Sequence, residues 1–525
     1  MSLKAKLFRL WWLPPLIVAA VWRLVVLASG AVSFHSDEAI VGLMARHINQ
    51  GQPIPTFFYG QAYMGSLDPL LVSLMFRVTG ETVIGIRLVQ SILYLLFVAT
   101  TMLLAFRLSG ERRVAVIAGF LVALPSPAMT LYTTISLGGY GETLVIGNLL
   151  LLVGYDIGIN RLNSWKHWLA LGALAGLGWW TNSLIVVYIL PVALLLLSQL
   201  RFWRPLRMII IAFVAFLLFS GPWWLYNFSH NWESVRFLLG GFQGQHIGVT
   251  DKMVGFLFFG MPTIMGIRYS WTSSFWTGLW AVPVVILYLI LLILSLLRKP
   301  RIPAIYFLWA MVIGYIAVFV FSSFGVDATG RYLLPLTVPL VILLAIEIDG
   351  LSNRYPLALS AIAIILGVNV IGTALAMRNV PPGLTPQFDP ATDFSNDYDQ
   401  QVISFLREHG GQYGYGTYWV AYRLIFLSHE TVILSPQLPY KTTLVYTGQD
   451  RYPAYTGVVD QAYRPVFVTA NLPQLDTIIE DRLKTRAVTF SQQVIGPFTI
   501  FYDLSAHVTP AELGLQNLTG TESPK

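Results

Sequence analysis

Long apolar segments, separated by short polar ones, dominate the first 377 residues of the chain. A helix of about twenty apolar residues is long enough to cross a lipid bilayer. The pattern predicts about eleven such helices, at about residues 11–32, 83–106, 114–130, 142–159, 168–181, 183–200, 208–226, 277–297, 303–323, 332–348 and 357–377. Residues 1–377 are therefore predicted to form an all-α polytopic membrane bundle.

The pattern changes near residue 378, where a Pro-Pro-Gly sequence and several aspartates are typical of a linker. Beyond the linker, the spacing of apolar residues predicts helices at 396–409 and 472–483. Short runs rich in β-branched and aromatic residues predict strands at 431–434, 466–469 and 498–502. Residues 378–525 are therefore predicted to form a small α/β domain that ends in a loose tail from residue 509.

The positions of the basic residues give the predicted spans a direction. Only 11% of the residues are charged and the net charge is +7, and Lys and Arg collect at the cytoplasmic ends of membrane spans. The predicted cytoplasmic turns are basic except near 349–354, and their basic residues are Lys4, Lys6, Arg9, Arg107, Arg112, Arg113, Arg161, Lys166, Arg201, Arg204, Arg207, Arg298, Lys299 and Arg301. This pattern predicts a multi-pass protein of the plasma or inner membrane with a cytoplasmic N-terminus and an extracytoplasmic C-terminal domain. It implies the bilayer, and not a nucleic acid, as the partner of the positive charge.

The first predicted external loop, residues 33–81, begins with a short helix. Ser36 is a favourable N-cap residue, Asp37 and Glu38 would occupy the first turn, and Gly51 is a natural stop. Because this helix is too short to cross the bilayer, we expect it to lie at the membrane surface. An aromatic linker follows, with Phe57, Phe58, Tyr59 and Tyr63.

Several short motifs occur in a specific order along the chain. They are the Asp37-Glu38 pair in the first external loop, Asp68-Pro69 at the start of a second short helix that ends at Gly80, Ile86-Arg87-Leu88 at the next span, and Gly330-Arg331-Tyr332 before a late span. In these motifs and in its span order the chain resembles the C-type membrane glycosyltransferases, in particular the protein-mannosyltransferase and aminoarabinose-transferase-like superfamily. The resemblance covers about residues 1–377 and is strongest over 33–150.

The resemblance implies a polyprenyl-phosphate sugar as the donor and transfer to a hydroxyl on the extracytoplasmic face. The acceptor would be a protein, a lipid or a glycan. The family's first-loop aspartate engages the acceptor as base or orienting group, and that position matches Asp37, with Glu38 beside it. Many bacterial relatives have Lys-Pro-Pro where this chain has Leu67-Asp68-Pro69, so the lysine that would help to bind the donor phosphate is absent.

Further candidates lie at predicted external ends of spans and in external loops. Glu142 is the second candidate carboxylate, because the family often has an acidic residue near this point. Cations are needed to stabilise a leaving phosphate, and the candidates for donor-phosphate binding are Arg331, Tyr332, Arg268 and Tyr269, the last two in the long external loop 229–276. The candidates for the acceptor side of the first loop are His35, Tyr59, Tyr63 and Asp68.

Two other classes of function remain open at this point. A lipid or sugar transporter or flippase would predict internal repeats and broken helices near mid-membrane, and the sequence has no convincing repeat. A non-catalytic scaffold would keep the fold without the chemistry. The chain has no cysteine, and no His, Asp and Glu set has metal-ligand spacing. The first-loop carboxylates are able to hold a divalent ion, but the mannosyltransferase-like relatives generally work without one, so the resemblance implies no metal and no other cofactor.

Overall fold

The computed structural model describes residues 10–162, 164–199, 206–240, 248–297, 304–322, 325, 327, 329–351, 354–380 and 383–518. The chain is mostly helical and divides into two compact units. The first, here called the helical unit, consists of Met1–Gly30, Ala62–Asp68 and Arg87–Met377. The second, called the sheet unit, consists of Ala31–Gln61, Pro69–Ile86 and Arg378–Lys525.

Six described helices are long and apolar enough to cross a membrane. They are Val83–Ser109, Tyr140–Gly158, Gly278–Leu297, Ala304–Phe321, Arg331–Gly350 and Tyr355–Arg378. A seventh span results if Leu206–Phe219 and Gly221–Ser229, which are bent by 62° at their junction, are counted as one. Pro222 in the first turn after the break accounts for the bend, since proline cannot donate a helical hydrogen bond.

The predicted count of eleven spans is not confirmed. Each of the other predicted segments contains a helix of 12 to 17 residues, namely Leu13–Ala28, Arg112–Ala123, Trp165–Thr181, Val186–Gln199 and Leu206–Phe219. These helices are shorter than the roughly 20 residues needed for an untilted span. The predicted basic turns at 201–204 and 298–301, the basic residues before residue 10 and the end of the predicted tail lie outside the described residues.

The long loop predicted at 229–276 is mostly helical where it is described. Its short helices are Glu233–Gly240, Val249–Gly255 and Met261–Ile264, with a π-helical turn at Phe256–Gly260. Two further short helices of the helical unit matter for the site. Pro127–Tyr132 follows the break at Leu124, and the 3-10 helix Arg331–Leu336 precedes Thr337–Gly350.

A five-stranded mixed sheet forms the centre of the sheet unit. Its strands are β1 Tyr413–Thr417, β2 Ile433–Leu438, β3 Val466–Ala470, β4 Ser491–Ile495 and β5 Phe498–Tyr502, in the order β2-β1-β3-β5-β4. β1 pairs in parallel with β2 and β3, and β5 pairs antiparallel with β3 and β4. The surrounding helices are Asp399–Glu408, Tyr418–Leu427, Pro453–Val459 and Pro473–Thr485. This confirms the predicted small α/β domain.

Apolar side chains fill both faces of this sheet, because successive residues of a strand point to opposite sides. Phe467 and Phe501 are buried in one core cluster, whereas Val468 and Ile500 are buried in the other. The predicted strands at 466–469 and 498–502 and both predicted helices are confirmed, and the strand predicted at 431–434 is displaced towards Leu438. The sequence prediction missed β1, whose YGYGT sequence contains two glycines, and β4, whose side chains are mostly polar or exposed.

The first-loop helix, Ser36–Asn49, differs from its prediction in two respects. The N-cap residue is His35, and the Ser36 hydroxyl donates to the backbone carbonyl of Tyr418, so the prediction of Ser36 as N-cap is wrong. Eleven of its 14 residues are buried. It packs against the Tyr418–Leu427 helix, and at Gly42 the two helices are so close that a Cβ atom would clash with the Phe426 ring. It is therefore not the surface helix that we expected.

The second loop helix, predicted to be a short apolar helix that ends at Gly80, spans Leu67–Thr79 and has one buried and one exposed face. Leu74 and Val78 are exposed, with Val78 84% accessible, whereas Val72 and Phe76 are buried.

Candidate active site

The predicted site residues divide between the two units. Tyr63, Asp68, Glu142, Arg268, Tyr269, Arg331 and Tyr332 belong to the helical unit, and His35, Asp37, Glu38 and Tyr59 belong to the sheet unit.

Asp68 is fully buried in the helical unit and is an acceptor for four donors. One carboxylate oxygen accepts from the Gln90 amide at 3.0 Å and the other from the Ser136 hydroxyl, and the backbone amides of Gly138 and Gly139 also donate to the carboxylate. Burial raises the pKa of the Asp68 carboxyl to about 6, although these hydrogen bonds act in the opposite direction. The four donors match the four lone-pair directions of a carboxylate, so Asp68 anchors the turn at Gly138.

The turn that Asp68 anchors leads directly into the helix that carries Glu142. Gly138 and Gly139 have φ values of 86° and 85°, a region that other residues occupy only with strain, and a Cβ atom on Gly139 would lie 2.9 Å from the carbonyl oxygen of Thr181. Helix Tyr140–Gly158 begins at the next residue, which puts Glu142 in its first turn. The glycine pair thus fixes where the Glu142 carboxyl points.

Glu142 is a buried carboxyl whose polar side-chain neighbour is a second carboxyl, Asp68. Its side chain is 2% exposed and interacts electrostatically with the Asp68 carboxyl. Besides the Asp68 carboxyl and the backbone amide of Glu142 itself, neither carboxyl oxygen has a hydrogen-bond partner among the described residues. Leaving a buried polar group unpaired costs about 1–3 kcal/mol, and such unpaired groups are concentrated at sites that bind a substrate. Glu142 is therefore the carboxyl of this unit that is free to accept a hydrogen bond from a substrate.

Arg331 and Tyr332 lie beside the same helix end. The Tyr140 and Tyr332 ring centroids are 6.2 Å apart, and the Arg331 guanidinium lies 4.9 Å from the Tyr332 ring and within electrostatic range of Tyr140. Arg331 pairs with Asp327 at 2.7 Å and its side chain is 34% exposed. Tyr63 also interacts with Tyr140 and stacks on Phe237 at 4.5 Å. Tyr63, Arg331 and Tyr332 thus all interact with Tyr140, which begins the helix that carries Glu142 in its first turn.

Arg268 and Tyr269 are adjacent in sequence but have different surroundings. Arg268 is buried and donates to the Thr263 hydroxyl at 2.8 Å, and its guanidinium interacts electrostatically with Tyr132. Tyr132 interacts with Arg331 as well, so one tyrosine lies within range of both arginines. The Tyr269 hydroxyl instead donates to the carbonyl oxygen of Gly372 at 2.9 Å, and its ring stacks on Trp271. These contacts pack Tyr269 against its neighbours, and its role in phosphate binding stays a prediction.

In the sheet unit, Asp37 is half-buried in the first turn of its helix. One of its carboxylate oxygens accepts a hydrogen bond from the Tyr418 hydroxyl. The Arg451 side chain donates to the same hydroxyl at 3.4 Å and to the backbone of Gly60 at 3.1 Å. This arrangement orients the Asp37 carboxylate and leaves its second oxygen without a hydrogen bond among the described residues.

The neighbours of Asp37 in sequence are more deeply buried. Glu38 is fully buried, and His35 is 4% exposed, with its ring packed edge-on against Trp419 at 5.9 Å. The Tyr59 hydroxyl is 2.9 Å from Nδ1 of His47, and its ring stacks on Tyr452 at 4.8 Å. These contacts indicate packing for His35 and Tyr59, so their predicted roles towards an acceptor have no support within this unit.

Several residues of these clusters were missed by sequence reasoning. They are Gln90, Ser136, Tyr132, Tyr140, Tyr418 and Arg451. The one usable signal was the Gly138-Gly139 pair ahead of Glu142, which marks a turn that holds its neighbours in place. Among the described residues no group of three or more His, Asp and Glu side chains has the arrangement of a metal site.

In sequence over part of its length, and in fold, the chain is similar to the C-type membrane glycosyltransferases. Residues 67–226 match the family model of the dolichyl-phosphate-mannose-protein mannosyltransferases. In fold the chain is similar to ArnT from Cupriavidus metallidurans bound to undecaprenyl phosphate, with a TM-score of 0.62, 16% identity and coverage of 94% of this chain and 99% of that chain. The apo state of the same protein gives a TM-score of 0.63 and 14% identity, with coverage of 97% and 100%.

The structural similarity to an oligosaccharyltransferase is weaker. The apo oligosaccharyltransferase from Archaeoglobus fulgidus aligns with a TM-score of 0.47 and 12% identity, over 88% of this chain and 69% of that chain. No curated protein matches the chain. The sequence match over 67–226 and the ArnT-like fold together confirm the resemblance to C-type glycosyltransferases and identify a multi-pass membrane protein.

Proposed function

We propose that the chain transfers a sugar from a polyprenyl-phosphate donor to an acceptor hydroxyl on the extracytoplasmic face of the inner or plasma membrane. The family model and the ArnT-like fold support this class of activity. The similar ArnT structure contains undecaprenyl phosphate, which supports a donor of that chemical class.

One observation carries the proposal. Within the helical unit, the buried Glu142 carboxyl lies in the first turn of the helix that begins at Tyr140, and the Arg331 guanidinium interacts electrostatically with Tyr140. Glycosyl transfer from a lipid phosphate needs a carboxylate to orient or deprotonate the acceptor hydroxyl and a cation to stabilise the departing phosphate. The helical unit therefore supplies both kinds of group.

In the proposed reaction the acceptor hydroxyl oxygen attacks the anomeric carbon of the donor sugar. The bond between that carbon and the phosphate oxygen breaks, and polyprenyl phosphate leaves with the electron pair. Arg331, with Tyr332 beside it, stabilises the phosphate, and Arg268 adds positive charge through its position near Tyr132. The hydroxyl proton passes to a carboxylate, and a direct displacement of this kind inverts the anomeric configuration.

Asp37 remains a proposed second carboxylate. Its support is its position in a first loop of family-like sequence, together with the oxygen that its own unit leaves without a donor. We propose no divalent metal, because two arginines supply the positive charge that the reaction needs.

Leu67 in place of the relatives' lysine, with Asp68 after it, fits this assignment. Asp68 is a carboxylate whose lone pairs are filled by Gln90, Ser136 and two backbone amides. A phosphate would be repelled by it, so the donor phosphate must be held by other groups, and we propose Arg331 and Arg268 of this unit for that role.

The proposal is tested with membranes that contain the wild-type chain or the variants Glu142→Gln and Asp37→Asn. Radiolabelled polyprenyl-phosphate sugars are added, and the label in protein, lipid and glycan fractions is counted. We expect label transfer by the wild type and a loss of about 10²-fold or more in each variant at equal membrane insertion. Full transfer by both variants would overturn the site assignment, and no transfer by the wild type from any polyprenyl-phosphate sugar would overturn the function.

A further inference from the structure

Arg23 is a buried cation in the middle of the first helix, Leu13–Ala28. Its side chain is 2% exposed, and among the described residues no carboxylate lies within ion-pair distance. The guanidinium donates to the Thr130 carbonyl at 3.2 Å and to the hydroxyls of Thr133 and Thr134, and it lies 3.7 Å from the centre of the Tyr94 ring. All of its partners are therefore neutral.

Such an arrangement is costly, because a charge removed from water without a counter-charge loses several kcal/mol of solvation. Charged side chains are rare in membrane-spanning segments and usually mark function where they occur. Packing alone does not require a charge at this place, since an apolar side chain of similar size would fill the same volume. The guanidinium is distinguished by its planar fork of donors, which fixes three acceptors of one short segment at once.

The segment that Arg23 contacts, residues 130–134, connects the arginine side of the candidate site with its carboxyl side. Tyr132, which lies near both Arg331 and Arg268, immediately precedes Thr133. Ser136, which donates to Asp68, follows two residues after Thr134 and leads into the Gly138-Gly139 turn. Thr133 and Thr134 thus lie in the chain between Tyr132, the neighbour of both arginines, and the turn that precedes Glu142.

We infer that Arg23 is a positioning residue, which holds residues 130–134 so that the following turn presents Glu142 to the substrate. This inference rests on the proposed function, because it assigns Glu142 a role in transfer. Arg23 itself does not touch the reacting atoms.

The substitution Arg23→Met separates this role from a purely structural one. The Thr133 and Thr134 hydroxyls also donate to the carbonyls of Met129 and Thr130, so removal of Arg23 does not leave these donors unpaired. Replacement of a buried ion by an apolar side chain of similar volume is often neutral or stabilising. We therefore expect Arg23→Met to fold and insert normally.

The experiment compares Arg23→Met, Arg23→Lys and the double variant Thr133→Val/Thr134→Val with wild type. The matched control is Arg107→Met, which changes a half-exposed arginine of the same unit that pairs with Asp156. Transfer kinetics give kcat and KM, and hydrogen–deuterium exchange is followed in peptides that cover residues 130–141. For Arg23→Met we expect kcat to fall about 10- to 100-fold with little change in the donor KM, and faster exchange confined to these peptides.

The other variants test whether the guanidinium of Arg23 acts through Thr133 and Thr134. Arg23→Lys should recover part of kcat, Arg107→Met should match wild type, and Arg23→Met combined with the double threonine variant should lose no more than either alone. A wild-type kcat in Arg23→Met, or a loss that only follows the amount of folded protein, would overturn the inference. If the wild type transfers no sugar, the proposed function fails, whereas unchanged exchange in 130–141 of Arg23→Met would still refute the role of Arg23.

Discussion

Glu142 of the helical unit and Glu430 of the sheet unit are both shielded glutamates, but their surroundings are opposite. Glu430 accepts from the Tyr455 hydroxyl at 2.8 Å, and its carboxylate oxygens lie 3.1 Å from Nε2 of His47 and 3.4 Å from Nη1 of Arg46. Burial alone would raise the pKa of Glu430, but the contacts with His47, Tyr455 and Arg46 outweigh it and lower the pKa to about 2. Glu142 has none of these donors.

This difference separates a structural carboxylate from a reactive one. The network of Glu430 satisfies its oxygens within the protein, and Arg46 also pairs with Glu81 at 2.6 Å, so the cluster ties the first-loop helix into the sheet unit. The Glu142 carboxyl is also removed from water, but no comparable set of donors replaces its lost hydration. A protein retains such a group when a bound substrate supplies the missing donor.

We expect the largest difference in transfer rate between the matched variants Glu142→Gln and Glu430→Gln. We expect Glu142→Gln to reduce transfer about 10²- to 10⁴-fold, because a neutral amide cannot take a proton from the acceptor. Glu430→Gln should transfer sugar at close to the wild-type rate at neutral pH. Initial rates at equal protein concentration decide between them, and equal losses in the two variants would remove the distinction between the glutamates.

Arg331→Ala tests the cation that belongs to the same cluster. We expect affinity for polyprenyl phosphate to fall about 10- to 100-fold, since a hydrogen bond to a charged group contributes about 1.5–3 kcal/mol. Arg331→Lys should lose less, because it keeps the charge but not the planar fork. Binding of polyprenyl phosphate, measured by native mass spectrometry, is the readout, and an unchanged affinity in Arg331→Ala would place the phosphate elsewhere.

Asp68 makes the rate depend on pH. Its pKa is raised to about 6 by burial, so the carboxylate becomes protonated as the pH falls through that value and loses acceptor capacity for Ser136 and the Gly138 turn. We expect the transfer rate to decline below about pH 6. Asp68→Asn should be roughly tenfold slower at pH 7 and should lack this decline, and a wild-type pH profile in that variant would refute the role of Asp68.

The smallest effect concerns the stability of the sheet unit in acid. The folded-state pKa of Glu430 is depressed to about 2 from its ordinary value of 4.5. Its contribution is therefore complete above about pH 4.5 and is lost as the pH falls towards 2. We expect Glu430→Gln to lower the melting temperature by a few degrees at pH 7, roughly as for loss of 1 kcal/mol, and to melt like wild type near pH 2. If the difference in melting temperature between Glu430→Gln and wild type stays constant from pH 7 to about pH 2, the structural role assigned to Glu430 is wrong.

Sequence reasoning found what depends on local pattern and missed what depends on distant partners. The helix after residue 35, strands β3 and β5 and the class of membrane fold followed from periodicity, turn residues and family-like motifs. Glu142 was singled out by its family-like position, but its pairing with Asp68 was not, because the two are far apart in sequence. The burial of Ser36–Asn49 was missed because the helix that covers it, Tyr418–Leu427, belongs to a distant part of the chain.

The most direct test of the central claim is a structure of the wild-type chain with a polyprenyl phosphate bound. We expect the phosphate to contact the Arg331 guanidinium, which then releases Asp327. We also expect the Glu142 carboxyl to lie within hydrogen-bonding reach of the substrate. A phosphate bound away from Arg331, with the Arg331–Asp327 pair intact and Glu142 still buried without a partner, would contradict it.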